Sequence, residues 1–527
     1  MDIKLKYDPR KEQTEILEGF KQAVEHELPH YLIDAPTGVG KSYAAMMMAN
    51  HWHDTTGGKV DVITNSKVLQ SQYLKDFPFL GELKGKSNYF CSQFDVNCDE
   101  GAELAKQSKT KCLNCPHQLA FENFKRCKVS MINFHLFSSY AMFVPFILRE
   151  RGAKMLVIDE AHAFEEVFTE FISLVISERV LKSVGLDDNP VVVNKLQDVQ
   201  STEDLEEFFY EFFEERVIKH VKELTRKVPD AKSTKQKSGL LRNIKSAERL
   251  LARFKKYFDD EDRDEWIFQR EKAPRNKEVY IPHIKVEPTW ARKYLWDLIW
   301  DKYEMVVFMS ATILDPSIFS SINGLSNELM FCNVDSPFPV DNRIVHYSPV
   351  GRMSYKYKHQ TIEKMIPRIK KIIEKNSDIK GIIHTGNYEN SYKLKEALGD
   401  NRRLIFHGSG KSEWALQHHE NSSIPTILVS PAMTHGIDLK DELSRLQIIM
   451  KIPFQSLGDK RVKKRLNESQ EWYIWRTWIE VIQACGRSIR NKDDWAATYI
   501  LDSSFDQLLR YDQMMPDYFR DALVLPA

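Results

Sequence analysis

The sequence is sparing with cysteine, seven in 527 residues, and it has no long apolar run, no excess charge of either sign and no low-complexity tail. Each absence excludes something. The longest mostly apolar stretch, YAMFVPFIL from Tyr140, falls far short of the roughly 18 to 20 residues that a membrane span needs. The first residues, MDIKLKYDPRKEQ, hold no apolar segment of the secretory type. No membrane partner is expected, and the compartment is read as cytoplasmic (nucleoid-associated) or nuclear. In such reducing surroundings disulfides lose most of their claim on cysteine. Basic and acidic residues number 75 each, which speaks against a chain basic all over and leaves room for a local basic groove. With 42% apolar and 28% charged residues the chain should fold, and its length predicts two to four domains.

What is there begins with short β-branched or apolar runs: YLID (31–34), VDVIT (60–64), VSMIN (129–133), MLVID (155–159), EMVVFM (304–309), KGIIH (380–384), RLIF (403–406), TILVS (426–430), LQIIMKI (446–452) and ATYILD (497–502). Amphipathic, helix-like segments separate most of them, an alternation that implies parallel sheets with ligands at the carboxyl ends of the strands. The runs form two groups, 31–159 with 304–309 and 380–502, so two α/β cores are expected. The charged stretch between them, rich in helix formers, reads as a helical insertion, with PDAKSTKQKSG (229–239) as a loop because it lacks core residues.

After YLID comes APTGVGKS, formed by Ala35, Pro36, Thr37, Gly38, Val39, Gly40, Lys41 and Ser42, and then a helix-forming run. These are the parts of a P-loop, in which backbone N–H groups ring the phosphates, Lys41 reaches the β- and γ-phosphates of ATP and Ser42 ligates Mg²⁺. Ala35 stands where the motif usually has its first glycine. Downstream, MLVIDEAH ends a buried strand on Asp159 and Glu160. In P-loop enzymes the first carboxylate holds Mg²⁺ through water and the second polarises the attacking water. QACGRSIR (483–490) sets Arg487 and Arg490 three residues apart, the spacing of arginine fingers on one helical face. DKRVKKR (459–465) is either a phosphate-binding run or a solvated loop.

Four of the seven cysteines, Cys91, Cys98, Cys112 and Cys115, fall in CSQFDVNCDEGAELAKQSKTKCLNC. Only the last two form a CxxC pair, and the spacing is open to zinc as well as to an iron–sulfur cluster.

Taken in order, these motifs resemble the XPD/DinG iron–sulfur type of superfamily 2 helicases, nearly end to end. RKEQ (10–13) is similar to the adenine-recognising Q motif, with Gln13 the contact. APTGVGKS, TNSKVLQSQ (64–72), DEAH, SAT (310–312), THGIDL (434–439) and QACGRSIR resemble motifs I, Ia, II, III, V and VI. KGKSNYFC (84–91) and CPHQLAFENFKRCKVSMINFH (115–135) resemble the entry to and exit from the family's cluster domain. The departures are His435 where the family often has Glu, a compact insertion and a chain shorter than typical members.

The resemblance implies an α/β protein with two RecA-like motor domains. Motor domain 1 would comprise residues 1–83, 116–165 and 286–335, interrupted by an iron–sulfur domain at 84–115 and a helical arch-like insertion at 166–285. Motor domain 2 would span 336–527. It also implies a [4Fe–4S] cluster on Cys91, Cys98, Cys112 and Cys115, further nucleotide contacts at Asp438 and Gln483, and ATP hydrolysis by Lys41, Asp159, Glu160, Arg487 and Arg490. The implied activity is that of a monomeric motor moving on single-stranded DNA, 5′ to 3′, and opening duplex or forked DNA in repair, replication or recombination. An ATP-driven translocase that removes proteins or R-loops is the nearest competing reading. A DNA-binding scaffold switched by ATP without turnover is another, and the intact ATPase residues speak against it.

Overall fold

A computed structural model of the chain describes residues 8–112, 114–271, 280–431, 441–486 and 494–526. Two seven-stranded parallel sheets form its two cores. The first runs, edge to edge, Leu329–Asn333, His30–Asp34, Met305–Ser310, Ala153–Asp159, Lys59–Thr64, Val129–Asn133 and Gly81–Glu82. The second runs Leu404–Phe406, Ile427–Ser430, Gly381–His384, Leu446–Ile449, Ala497–Asp502, Val345–Gly351 and Leu523–Val524. Helices cover the faces of a parallel sheet, so its central strands are buried on both sides and read as unbroken apolar runs. His30–Asp34 and Met305–Ser310 are buried at every position. All ten runs singled out in the sequence contain a strand.

Register in the first sheet decides where chemistry can occur. Asp34 lies opposite Ser310, Met309 opposite Asp159, and Asp159 opposite Thr64. The segments that leave these four neighbouring strands are APTGVGKS, SAT, DEAH and TNSKVLQSQ. The topology thus lines up four motifs on one sheet edge.

The domains meet through the helix Gln470–Cys485, buried along most of its length. A helix apolar on nearly all sides belongs inside a protein. Its Trp478 packs in the second core, and its Trp475 donates through Nε1 to the Ile313 carbonyl of the first domain at 2.8 Å.

The insertion holds a helical body, including Glu214–Lys227 and Thr234–Phe258, on a base of three antiparallel strands, Leu174–Ile176, Ile284–Pro288 and Trp266–Arg270. Two expectations change here. The insertion is not wholly helical. The stretch 229–239 is a loop only at its start, because Ser233 accepts a hydrogen bond from the Gln236 N–H and caps a helix that begins at Thr234. A short hairpin, Phe90–Cys91 with Val96–Asn97, and the helix Cys98–Gln107 carry the first two clustered cysteines. They dock on the insertion: Leu104 packs with Val228 and Leu241, and Lys245 pairs with Asp99 at 2.7 Å.

Candidate active site

The loop after His30–Asp34 turns on Gly38 and Gly40, whose φ angles of +87° and +86° lie in the left-handed region that side chains rarely adopt. Gly40 caps the helix Lys41–Thr56. Both glycines are also needed for space, since a Cβ on Gly38 would meet the Phe338 ring and one on Gly40 the Gln13 amide. Gln13 donates to the Val39 carbonyl at 2.9 Å and accepts from the Arg10 N–H at 2.9 Å, and Arg10 reaches the Gly38 carbonyl at 3.0 Å. RKEQ therefore touches the loop itself. Lys41 folds onto the carbonyls of Ala35 and Pro36 at 2.9 and 3.4 Å, so its ammonium sits over the concavity of the loop.

Asp159 is buried at the end of its strand. It accepts from the Tyr73 hydroxyl at 2.8 Å and from the Glu160 N–H at 3.1 Å. Burial, with the Glu160 charge beside it, pushes its carboxyl up to about 6, against the pull of Lys41 and Tyr73. Ser42 also acts on the Tyr73 phenol, easing the rise that burial and Asp159 impose on it, so the phenol faces both residues expected to hold Mg²⁺. Asp34, on the adjacent side of Lys41, is likewise pushed up to about 6 by burial, and its Oδ1 has no hydrogen-bond partner among the described residues. Neither Tyr73 nor Asp34 was singled out in the sequence; a polar residue ending a buried strand, as Asp34 does, was the available signal.

Glu160 has φ +60°, strained for a residue with a side chain. Its carboxylate lies 3.5 Å from His162. His162 Nδ1 is 2.8 Å from the Ser310 hydroxyl, and Gln483 of the second domain donates to His162 Nε2 at 2.7 Å and to Thr312 at 3.3 Å. The Thr37 hydroxyl also meets the Gly486 carbonyl at 3.5 Å. Motifs I, II, III and the start of VI therefore converge across the domain boundary. Asp438, Arg487 and Arg490 lie outside the described residues.

The cysteines are close neighbours. Cys98 and Cys115 stand 3.4 Å apart, sulfur to sulfur. Burial and then Cys115 raise the Cys98 thiol, with Cys91 adding to it, and Cys112 is raised by burial and by Cys115 and Cys91. Among the described residues, no group of three or more His, Cys, Asp or Glu side chains is arranged to hold a metal ion.

DKRVKKR is neither of the things expected of it. Asp459 caps a helix, Lys460–Glu468, and Arg461 and Arg465 are buried against the first domain. Two guanidinium groups in a helical run are spent on carboxylates across the boundary rather than left to solvent or phosphate.

The helicase C-terminal domain family matches residues 358–522, and the type III restriction enzyme, res subunit, family matches residues 6–184. The ATP-dependent DNA helicase YoaA of Escherichia coli is 21% identical over 94% of this chain and 92% of its own length. The ATP-dependent DNA helicase CHL1 of Debaryomyces hansenii is 24% identical over 43% of this chain and 27% of its own. Among solved structures, an XPD helicase superposes with a TM-score of 0.68 at 14% identity, covering 99% of this chain and 100% of that one. Xpd4 of S. tokodaii gives 0.56 at 15% identity, covering 98% and 100%. The chain thus carries a helicase C-terminal domain over residues 358–522, is similar over nearly its whole length to an ATP-dependent DNA helicase, and shares its fold with XPD helicases.

Proposed function

We propose that the chain is an ATP-dependent DNA helicase that moves 5′ to 3′ on single-stranded DNA and opens duplex or forked DNA. The observation that carries this reading is the contact between motifs across the cleft. Gln483 of the second domain reaches His162 of DEAH, and His162 reaches Ser310 of SAT, so the state of the phosphate site is coupled to the position of the second domain.

In this reading the P-loop N–H groups and Lys41 take the phosphates of ATP, with Lys41 exchanging its carbonyl partners for phosphate oxygens. Ser42 and Asp159 would hold Mg²⁺; a buried carboxylate pushed up to about 6, whose burial a bound cation would offset, fits a cation site. The metal supplies neutralisation of the phosphate charge. Glu160 orients the attacking water, and Arg487 and Arg490 stabilise the charge that develops. Gln13 reads adenine, and Asp438 and Gln483 complete the nucleotide contacts. Closure and reopening alternate the two domains' grips on DNA, where phosphate contacts hold the strand and stacking at roughly 1–3 kcal/mol per base resists slippage.

Cys91, Cys98, Cys112 and Cys115 would hold a [4Fe–4S] cluster. The support is the approach of the Cys98 and Cys115 sulfurs to 3.4 Å at the junction of a hairpin and two helices, with Cys91 on that hairpin and Cys112 just before the second helix. The cluster supplies folding energy to a module with little core of its own. That module and the insertion, docked through Lys245 and Asp99, would form the wedge at which strands part.

The test is ATP hydrolysis with and without single-stranded DNA, followed by unwinding of forked DNA with a 5′ or a 3′ tail. DNA-stimulated hydrolysis and opening of the 5′-tailed fork are expected. Hydrolysis that DNA does not stimulate would overturn the motor reading, and opening of the 3′-tailed fork alone would reverse the polarity.

A further inference from the structure

Among the described residues, a dense group of buried charges also lies away from the P-loop, at the junction of the two domains. Glu165, in the first turn of the helix Phe164–Ile172 that follows DEAH, is buried and receives two arginines of the second domain. Arg465 donates to its Oε1 at 2.6 Å and to its Oε2 at 3.4 Å, and Arg461 to its Oε1 at 3.2 Å. Arg461 continues to Glu287 at 3.4 Å, on the insertion's basal strand Ile284–Pro288. Arg465 donates to the Thr289 carbonyl at 2.6 Å and lies over the rings of Trp290 and Trp472. Beside this group, Arg476 pairs with Glu166 at 2.8 Å and with Glu480 at 3.2 Å.

Stability does not account for such an arrangement. Taking ions out of water costs several kcal/mol each, and apolar replacements of similar volume are often as stable or more so. An apolar contact already joins the two domains here, through Trp475, Phe319 and Ile313. What a guanidinium fork adds is direction, since an apolar face can slide while a bidentate pair has one geometry. The direction matters because of what the arginines are attached to. Arg461 and Arg465 lie on the helix Lys460–Glu468, joined through Ser469 alone to the helix Gln470–Cys485. That second helix carries Gln483, which meets His162, and ends at Gly486, which meets Thr37.

Resting on the ATPase reading above, we propose that Glu165 is a positioning residue for ATP hydrolysis: by holding Arg461 and Arg465 it keeps Gln483, and motif VI beyond it, in register with the DEAH residues as the domains turn about this junction. Both ends of the device are attached to the chemistry. Glu165 shares a short segment with Glu160, and the arginines share a helix pair with the side chain that reads His162.

The test is steady-state ATP hydrolysis by the full-length protein, stimulated by single-stranded DNA, in Glu165→Gln, which removes the charge and keeps the shape. A fall in kcat of about tenfold is expected with the KM for ATP within about twofold, because the P-loop groups that hold the phosphates are untouched and it is the alignment of the second domain in the transition state that is lost. Glu165→Asp should recover part of kcat. Adding Arg465→Met to Glu165→Gln should cost less than the two single losses combined, as expected for partners in one interaction. Wild-type kcat in Glu165→Gln would overturn the proposal, and so would a rise in KM matching the fall in kcat, which marks general loosening. If Glu165→Gln does not fold, Glu166→Gln at the more exposed rim serves instead: a drop in kcat of about threefold at constant KM supports the proposal, and unchanged kcat overturns it. A wild-type chain without DNA-stimulated hydrolysis would fail the ATPase reading itself, whatever the variants do.

Discussion

Acid should loosen the interdomain junction, and Glu165 sets the amount. Burial alone would raise its carboxyl, but the charges of Arg465 and Arg461, with hydrogen bonds from Arg465 and the Ala291 N–H, override burial and hold it at about 2 against an ordinary 4.5. A carboxyl lowered by folding stabilises the protein above its unfolded value and loses that contribution as pH falls towards the folded one. The shift corresponds to about 3 kcal/mol at neutral pH, of which about 2 kcal/mol is lost between pH 6.5 and pH 3. Burial lowers Arg465 at the same time, so the net worth of the pair is smaller than the carboxylate's gain taken alone. Glu165→Gln has no such carboxyl to protonate. Urea unfolding of both proteins, followed by tryptophan fluorescence because Trp290 and Trp472 flank Arg465, should show wild type losing about 2 kcal/mol more than Glu165→Gln across this range. Parallel stability curves would refute the reasoning, since the ion pair would then contribute nothing that protonation can remove.

Lys41→Ala and Glu160→Gln should each abolish DNA-stimulated hydrolysis, but only the first should weaken ATP binding, because only Lys41 contacts phosphate directly; a fluorescent-nucleotide titration separates them. Arg490→Ala should lose hydrolysis while keeping nucleotide-free binding to single-stranded DNA, and normal turnover with weakened DNA binding would place that side chain on the DNA track instead. Protein purified without oxygen should be brown, with about four irons per chain. One zinc per chain and no colour would refute the iron assignment, since zinc's filled d shell gives no visible absorption. Cys112→Ser should stop fork unwinding and leave part of the ATPase, because the phosphate site is built on other strands.

The sequence is most legible where burial on both faces of a sheet forces unbroken apolar runs, and less so towards the edges. Leu329–Asn333, an edge strand, is only half-buried, and Val345–Gly351, one strand in from the edge, contains a proline and ends on glycine, so neither reads as a central strand. The P-loop and DEAH could be read because each is local, a strand end followed by a loop whose residue types the chemistry dictates. Tyr73 could not, since its value lies in its bond to Asp159, 86 positions away in the chain. DKRVKKR failed for the same reason in a sharper form. A run of cations read by itself points to solvent or phosphate, and nothing within it tells that two of its arginines face a glutamate nearly three hundred positions earlier, at a separation of |i−j| = 300 for the closer pair. The residues proposed for hydrolysis thus lie in contiguous motifs, whereas those proposed to join hydrolysis to movement are scattered through both domains and the insertion. Coupling depends on contacts between bodies that move relative to one another, and such contacts leave no local pattern to read.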